Sequence, residues 1–295
     1  MITGFAIILD EEILYVSNEH KYPLFEIVLF VEKLIRSLNP KNLWRLKNIY
    51  FKSKNSKERM IIRHIVSEND QNLFYCIAGD FKPNSEEIIK LMEEYQEKVF
   101  ANYESIEKIK EASKKSEFKK IIKLITGYLW SKYRDTLEDE QIEPKCTDLQ
   151  NKIIYCGISS QGLPIISQLY DTALLNNFEK EVNNENIELL SSNISAKLAT
   201  IAMNTQIRAK NNIKEIHFDD IEDNGCRKLI LYSNINGYSL DFIASGDFIR
   251  LKEIFSELES TLSKEKILQG EFSGDLKPFR SLKTYLNNII NEFDQ

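Results

Sequence analysis

The residues whose types could do chemistry are few, and they lie far apart. Gly157-Ile-Ser-Ser-Gln-Gly162 has the composition of a phosphate-binding loop, with two glycines and two serines in six positions. Such a loop must end in Gly-Lys-Ser/Thr and open a helix, so that backbone N–H groups converge on the anion. Here Leu163-Pro164-Ile165 follows in a strand pattern, so the segment reads as a hairpin turn. Ser159 or Ser160 as a nucleophile would need a base. His217, the only histidine in that half, alternates with Ile216 and Phe218 and is expected to face solvent from a strand. His64 lies in a similar run and His20 in a loop. Gly79-Asp80 and Gly246-Asp247 invite an acidic-site reading, but a simpler one accounts for them: glycine gives a tight exit from a strand and aspartate caps the helix that follows. Cys76, Cys146, Cys156 and Cys226 form no CxxC pair, so neither a disulfide framework nor a zinc site is expected. The chain is therefore read as non-catalytic, with no cofactor and no metal.

The bulk charge excludes another class. A net charge of −6 over 295 residues argues against a general nucleic-acid binder, because phosphate neutralisation needs clustered Lys and Arg. Reduced, structural thiols fit a cytoplasmic protein. The first ten residues lack the basic start and small-residue cleavage site of a signal peptide, and no apolar run reaches the length of a membrane span. One stretch goes against the overall charge: Lys108 to Lys123 holds seven lysines and passes into Ile121 to Trp130. A basic amphipathic helix with a Trp can lie on an anionic membrane, so peripheral membrane contact is a second expectation.

The elements that would position these residues come in the same order twice. Gly4–Leu9 and Ile13–Val16 read as a hairpin, 24–38 as a helix after Pro23, and Lys47–Lys52, 59–67 and 73–81 as three strands. A helix from Asn84-Ser85 to about Tyr103 and another over about 117–137 follow. Residues 138–151 lose all apolar periodicity and contain Pro144, which marks a linker. Beyond it, 153–159 and Leu163–Leu169 flank a Gln161-Gly162 turn, and a long helix spans about 186–210. Three strands follow over 213–218, 227–233 and 239–245, with turns at Asn224-Gly225 and Asn236-Gly237. Helices over 248–264 and 281–293 close the chain. Phe74-Tyr-Cys-Ile-Ala-Gly-Asp-Phe81 and Leu240-Asp-Phe-Ile-Ala-Ser-Gly-Asp-Phe248 occupy the same joint in the two halves, which supports duplication of one module. The expected fold class is α/β of the α+β type. It has two units, 1–137 and 152–295, each a five-stranded antiparallel sheet with packed helices in the order ββ-α-βββ-α-α.

The two central helices carry more apolar surface than one sheet face can cover. Residues 24–38 are greasy nearly all round, Leu29 and Phe30 included. In the other helix Ile187, Leu190, Ile194, Leu198 and Ile201 make one stripe, while Ala196, Ala199, Ala202 and Met203 make a second, suited to close approach. Leaving four large apolar side chains in water would forgo roughly 6–12 kcal/mol. Leu29, Phe30, Ala196, Ala199, Ala202 and Met203 are therefore the candidate partner-binding residues. The cover could come from the other unit, from another chain, or from the units' own later helices.

The run Gly157-Ile-Ser-Ser-Gln-Gly-Leu-Pro-Ile-Ile-Ser167, the alanine-bearing helix after it and the following three strands and helix resemble the Roadblock family over about 153–264. The Asn-rich segment 176–186 and the extra final helix depart from that pattern. The first unit, with strands first and two helices last, is similar to a longin domain, the same module with its helix order permuted. The resemblance implies a dimer-forming, non-catalytic scaffold or regulator that binds Ras-like small GTPases in trafficking or signalling. It also implies pairing through central helices or sheet edges. That pairing would take the form of an intrachain pseudo-dimer or of a homo- or hetero-oligomer. The alternative is a membrane-peripheral adaptor that uses the basic segment 108–130.

Overall fold

The computed structural model describes residues 1–41, 43–54, 56–81, 86–134, 151–178, 182–221 and 227–293. Its strands are β1 (Ile2–Leu9), β2 (Glu12–Val16), β3 (Trp44–Lys52), β4 (Lys57–Val66), β5 (Asn72–Gly79), β6 (Lys152–Ser160), β7 (Leu163–Leu169), β8 (Ile213–Asp220), β9 (Arg227–Ile235) and β10 (Tyr238–Ser245). The helices are α1 (Tyr22–Leu38), α2 (Glu86–Tyr103), α3 (Ile106–Ser113), α4 (Ser116–Tyr133), α5 (Asn184–Ala209), α6 (Phe248–Leu262) and α7 (Arg280–Phe293). The element order matches the sequence pattern, with α3 added. That lysine-rich stretch supplies only Ile106 and Ile109 to the core, too short a stripe to register as a helical period. The linker, apart from Asn151, lies outside the described residues, as do Asn84-Ser85 and Asn224-Gly225.

The expectation of two separate five-stranded sheets needs correction. All ten strands form one antiparallel sheet in the order β2-β1-β5-β4-β3-β8-β9-β10-β6-β7. β3 pairs with β8 from Trp44 opposite Asp220 to Phe51 opposite Ile213. Left apart, both strands would be edges with unpaired N–H and C=O groups beside apolar faces, and pairing satisfies both. Gln161 and Gly162 both take positive φ, 49° and 82°, the geometry of a two-residue hairpin. The Gly157–Gly162 run is thus the β6 strand and its turn.

The sheet separates the helices into two layers. α1 and α5 lie side by side on one face, over a single apolar cluster that crosses the β3–β8 pairing. It joins Phe25, Val28 and Val31 of α1 to Ile194, Leu198 and Ile201 of α5, with Leu46, Ile49, Ile216 and Phe218 beneath. On the other face α2, α3 and α4 cover Phe5, Tyr75 and Ile77, and α6 and α7 cover Leu231, Phe242 and Leu240. The stripe of α4 (Phe118, Ile122, Ile125, Leu129, Tyr133) and that of α7 (Leu282, Leu286, Ile290) both end in core, as their spacing requires.

Helix starts show one success and one correction. The Asp247 side chain accepts from the backbone N–H groups of Ile249 and Arg250, so it caps α6 as expected. Before it, Gly246 has φ 128°, and a Cβ there would sit 2.4 Å from Asn151 Oδ1, which accepts from Asp247 N–H. Asp80 does not cap α2, which begins only at Glu86. Its backbone N–H donates instead to the Met1 carbonyl.

Candidate partner-binding surfaces

At the β3–β8 pairing, on the face opposite α1 and α5, the sheet carries a buried polar cluster. Alternation along β8 sends Ile216 and Phe218 into the α1/α5 core and leaves Glu215 and His217 for the other face, while the register irregularity between Ile213 and Glu215 turns Ile213 to the core side as well. Arg59 of β4 donates to Asn48 of β3 at 2.6 Å and pairs with Glu215 at 3.4 Å. It also stacks over the Tyr50 ring at 4.7 Å. His217 Nε2 lies 3.1 Å from Glu215 Oε2, and Lys252 of α6 reaches the other Glu215 oxygen. The expected exposed position of His217 is therefore corrected. Phe248 of α6 packs against its ring at 4.6 Å, and the side chain is 1% exposed. Burial pushes the imidazole down to about 4, only partly opposed by its bond to Glu215. Burial alone would raise the Glu215 carboxyl, but His217, Arg59 and Lys252 together hold it at about 2. At neutral pH this is a neutral histidine donating to a carboxylate that is already paired, which makes a structural lock between β4, β8 and α6.

A groove of about 670 Å³ opens beside that lock, with Arg45, Lys47, Asn48, Arg63, Asp219 and Arg227 on its floor and Ile88, Ile89 and Met92 of α2 on its wall. Among its cations, Lys47 pairs with Asp219 at 3.2 Å, Arg63 pairs with Glu93 at 3.7 Å, and Arg45 donates to the Trp44 carbonyl at 3.1 Å. The sequence reading missed this groove because its floor exists only once β3 and β8 pair.

The six candidate residues of α1 and α5 separate into different environments. Leu29 and Phe30 are both half-buried against the shared core, but in different places. Leu29 lines a small cavity with Asp10, Glu11 and Lys33, next to the β1–β2 hairpin. Phe30 lies under Arg208 of α5, 5.5 Å from its ring, and Arg208 also pairs with Glu26 at 3.8 Å. The α1–α5 seam therefore runs along Phe30 and Arg208. The small-residue side of α5 lies elsewhere: Ala199 is buried and Ala202 half-buried. Met203, one turn beyond Ala199, has its sulfur about 3.5 Å from where a Gly162 Cβ would be, at the β6–β7 turn. That side faces the β6–β7 edge of the sheet, over which α5 lies closely.

Ala196 and Met203 belong to a third surface. At spacings of seven, seven and four residues, Leu189, Ala196, Met203 and Ile207 fall on one outward stripe of α5. All four are exposed, Ile207 at 67% and Leu189 at 51%. Leu163, 60% exposed, follows Gly162 in the turn beside Met203. Leu189 and Ile207 were legible as apolar residues, but without the sheet nothing distinguished their side of the helix from the core side.

The arrangement assembles no nucleophile–base pair from Ser159 and His217. Between β6 and β8 lie β9 and β10, so the two residues are about 14 Å apart across the strands at the usual strand spacing. Ser159 is buried, and Cys156 is buried with its thiol pushed up by desolvation. Among the described residues no group of three or more His, Cys, Asp and Glu could hold a metal ion, and no helix is long and apolar enough to cross a membrane. No protein-family model matches the chain, and a search of curated proteins finds no match.

Proposed function

We propose that the chain is a non-catalytic scaffold or regulator that docks a Ras-like small GTPase, built as two longin/Roadblock-like modules paired within one polypeptide in the cytoplasm. The observation that carries this reading is the mirrored strand order about the β3–β8 pairing. From that centre each half runs third, fourth, fifth, first, second strand, and its long helix lies beside the other's on one face. The resemblance to those families implies pairing through sheet edges or central helices, and the β3–β8 ladder with α1 beside α5 supports such a pairing inside one chain. It also accounts for α1: the side left over by the sheet is covered in part by α5.

In this reading the GTPase engages the outward stripe of α5, with Leu189, Met203 and Ile207 as apolar anchors and Ala196 leaving room between them. Interface energy concentrates in a few such anchors. The test is direct binding of the full chain to purified Ras-like GTPases in both nucleotide states. At least one should bind, and Met203→Glu with Ile207→Glu should weaken it tenfold or more at unchanged melting temperature. Binding that ignores both substitutions would remove the stripe from the reading, and no binding across the panel would remove the GTPase.

A further inference from the structure

The lysine-rich region changes meaning once α4 is placed. Its apolar stripe cannot enter a bilayer, because Phe118, Ile122, Ile125 and Leu129 are core. Its opposite side is a different surface. Leu124 stands 74% exposed on the crest of the helix, with Tyr128 and Trp130 exposed on its flanks and Gly127 between them adding no side chain. Around these lie Lys110, Lys114, Lys115, Lys119, Lys120 and Lys123, all exposed and none in an ion pair among the described residues. Segment 108–134 holds nine Lys and Arg against Glu111 and Glu117, a local charge of +7 on a chain of net −6.

We propose that the outer face of α3 and α4 is a docking surface for an anionic lipid bilayer. Charge complementarity selects the occupant class: unpaired lysines around one projecting leucine and two aromatic rings fit a surface of negative headgroups over an apolar layer. The shape selects the bilayer over an acidic peptide. Leu124 sits on a convex helix crest, which a flat deformable layer can receive and an extended peptide cannot enclose. The face lies across the sheet from α1 and α5, so a docked chain turns the α5 stripe away from the membrane, toward solvent.

The chain carries two tryptophans, and they make the test specific. Trp44 is in the core at 3% exposure while Trp130 is 41% exposed, so a fluorescence change on vesicle binding reports on Trp130. The full chain should co-sediment with phosphatidylserine-containing vesicles at low salt but not with pure phosphatidylcholine. Its emission should shift blue, and Trp130→Phe should abolish that shift. The triple variant Lys119→Glu, Lys120→Glu, Lys123→Glu should lose roughly a hundredfold or more in partitioning, at about fivefold per lysine removed. Its melting temperature should not move, since all three side chains are exposed. Leu124→Asp should weaken binding without reducing the salt dependence. The proposal is overturned if the chain ignores phosphatidylserine, if the triple variant binds as well as the parent, or if it binds soluble polyglutamate with no Trp130 shift on vesicles.

Discussion

Arg59 of β4 and Glu215 of β8 meet 3.4 Å apart on the two sides of β3, each side chain less than a tenth exposed. They are 156 residues apart in the chain, and β3, which pairs with both strands, brings them together. The contact is the polar counterpart of the apolar cluster under α1 and α5, and it fixes how far β8 can slide along β3. A one-residue slip would turn Glu215 and His217 into the α1/α5 core and bring Ile216 out.

Breaking that pair from one side should therefore be costly. Glu215→Ala removes the carboxylate that Arg59, His217 and Lys252 share in a buried site, and removal of one partner of a buried pair typically costs about 3–5 kcal/mol. Arg59→Met together with Glu215→Leu should recover part of that loss, because no buried charge is stranded between them. Urea denaturation of Glu215→Ala and of the double variant, each against the parent, checks this. A Glu215→Ala variant within about 1 kcal/mol of the parent would show that the pair is not what ties β4 to β8.

Asp241 should make stability fall as pH rises from about 4 to about 7. It lies on β10 between Gly157 of β6 and Tyr232 of β9, fully buried under α5, with Ser239 Oγ 2.8 Å from its Oδ1. Desolvation raises its carboxyl to about 7, only partly opposed by that hydrogen bond. A raised folded value means that the acid form is favoured in the folded state. The contribution is whole below the unfolded value of about 3.9 and is lost as pH rises through about 7. Asp241→Asn should therefore gain more in melting temperature at pH 8 than at pH 5. Equal gains at both would mean that the carboxyl does not titrate in this range.

The histidines act with the opposite sign. Burial lowers His64, which bonds to Asn72 and stacks on Phe74, to about 3, and it lowers His217 to about 4. The unfolded chain, near 6.5, takes up protons first, so stability is full above about 6.5 and is lost as pH falls toward 4 and then 3. Glu215, held at about 2, adds its own loss only below the unfolded carboxylate range. In an Asp241→Asn background, where the opposing group is gone, thermal melts between pH 7.5 and 5 should show a steady fall. A flat profile would mean that neither imidazole is held neutral by the fold.

Element order could be read from the sequence wherever a period ran long enough. Leu282, Leu286 and Ile290 give α7, and alternation gives β8. Turn chemistry at Gln161-Gly162 and the Asp247 cap were equally plain. What pairs with what was not legible. Nothing in Trp44–Lys52 says that its free edge meets Ile213–Asp220, because ladder hydrogen bonds are made by backbone that every residue shares. The error on His217 follows from that gap: its face is exposed in an isolated strand and becomes buried when α6 brings Phe248 over it. The two sides of α5 were separable by spacing, but only β7 decides which of them is covered.

That placement sharpens what carboxylates on α5 should do. Ala199 is 3% exposed on the side of the helix that faces the β6–β7 edge, and Leu198 is fully buried in the shared core. An ionised side chain at either position must be desolvated without a partner or must push α5 off the sheet, and either costs several kcal/mol. Ala199→Glu and Leu198→Glu should therefore both depress the melting temperature strongly. Ala196→Glu, three residues before Ala199, enters solvent and should change stability by no more than about 0.5 kcal/mol. Melts of the three variants, with light scattering to follow association, give the comparison. If Ala199→Glu melts like the parent, α5 can lift from β7 at little cost and its small-residue side is open to a partner. If Ala196→Glu alone unfolds the chain, the outward stripe is core and cannot be where anything docks.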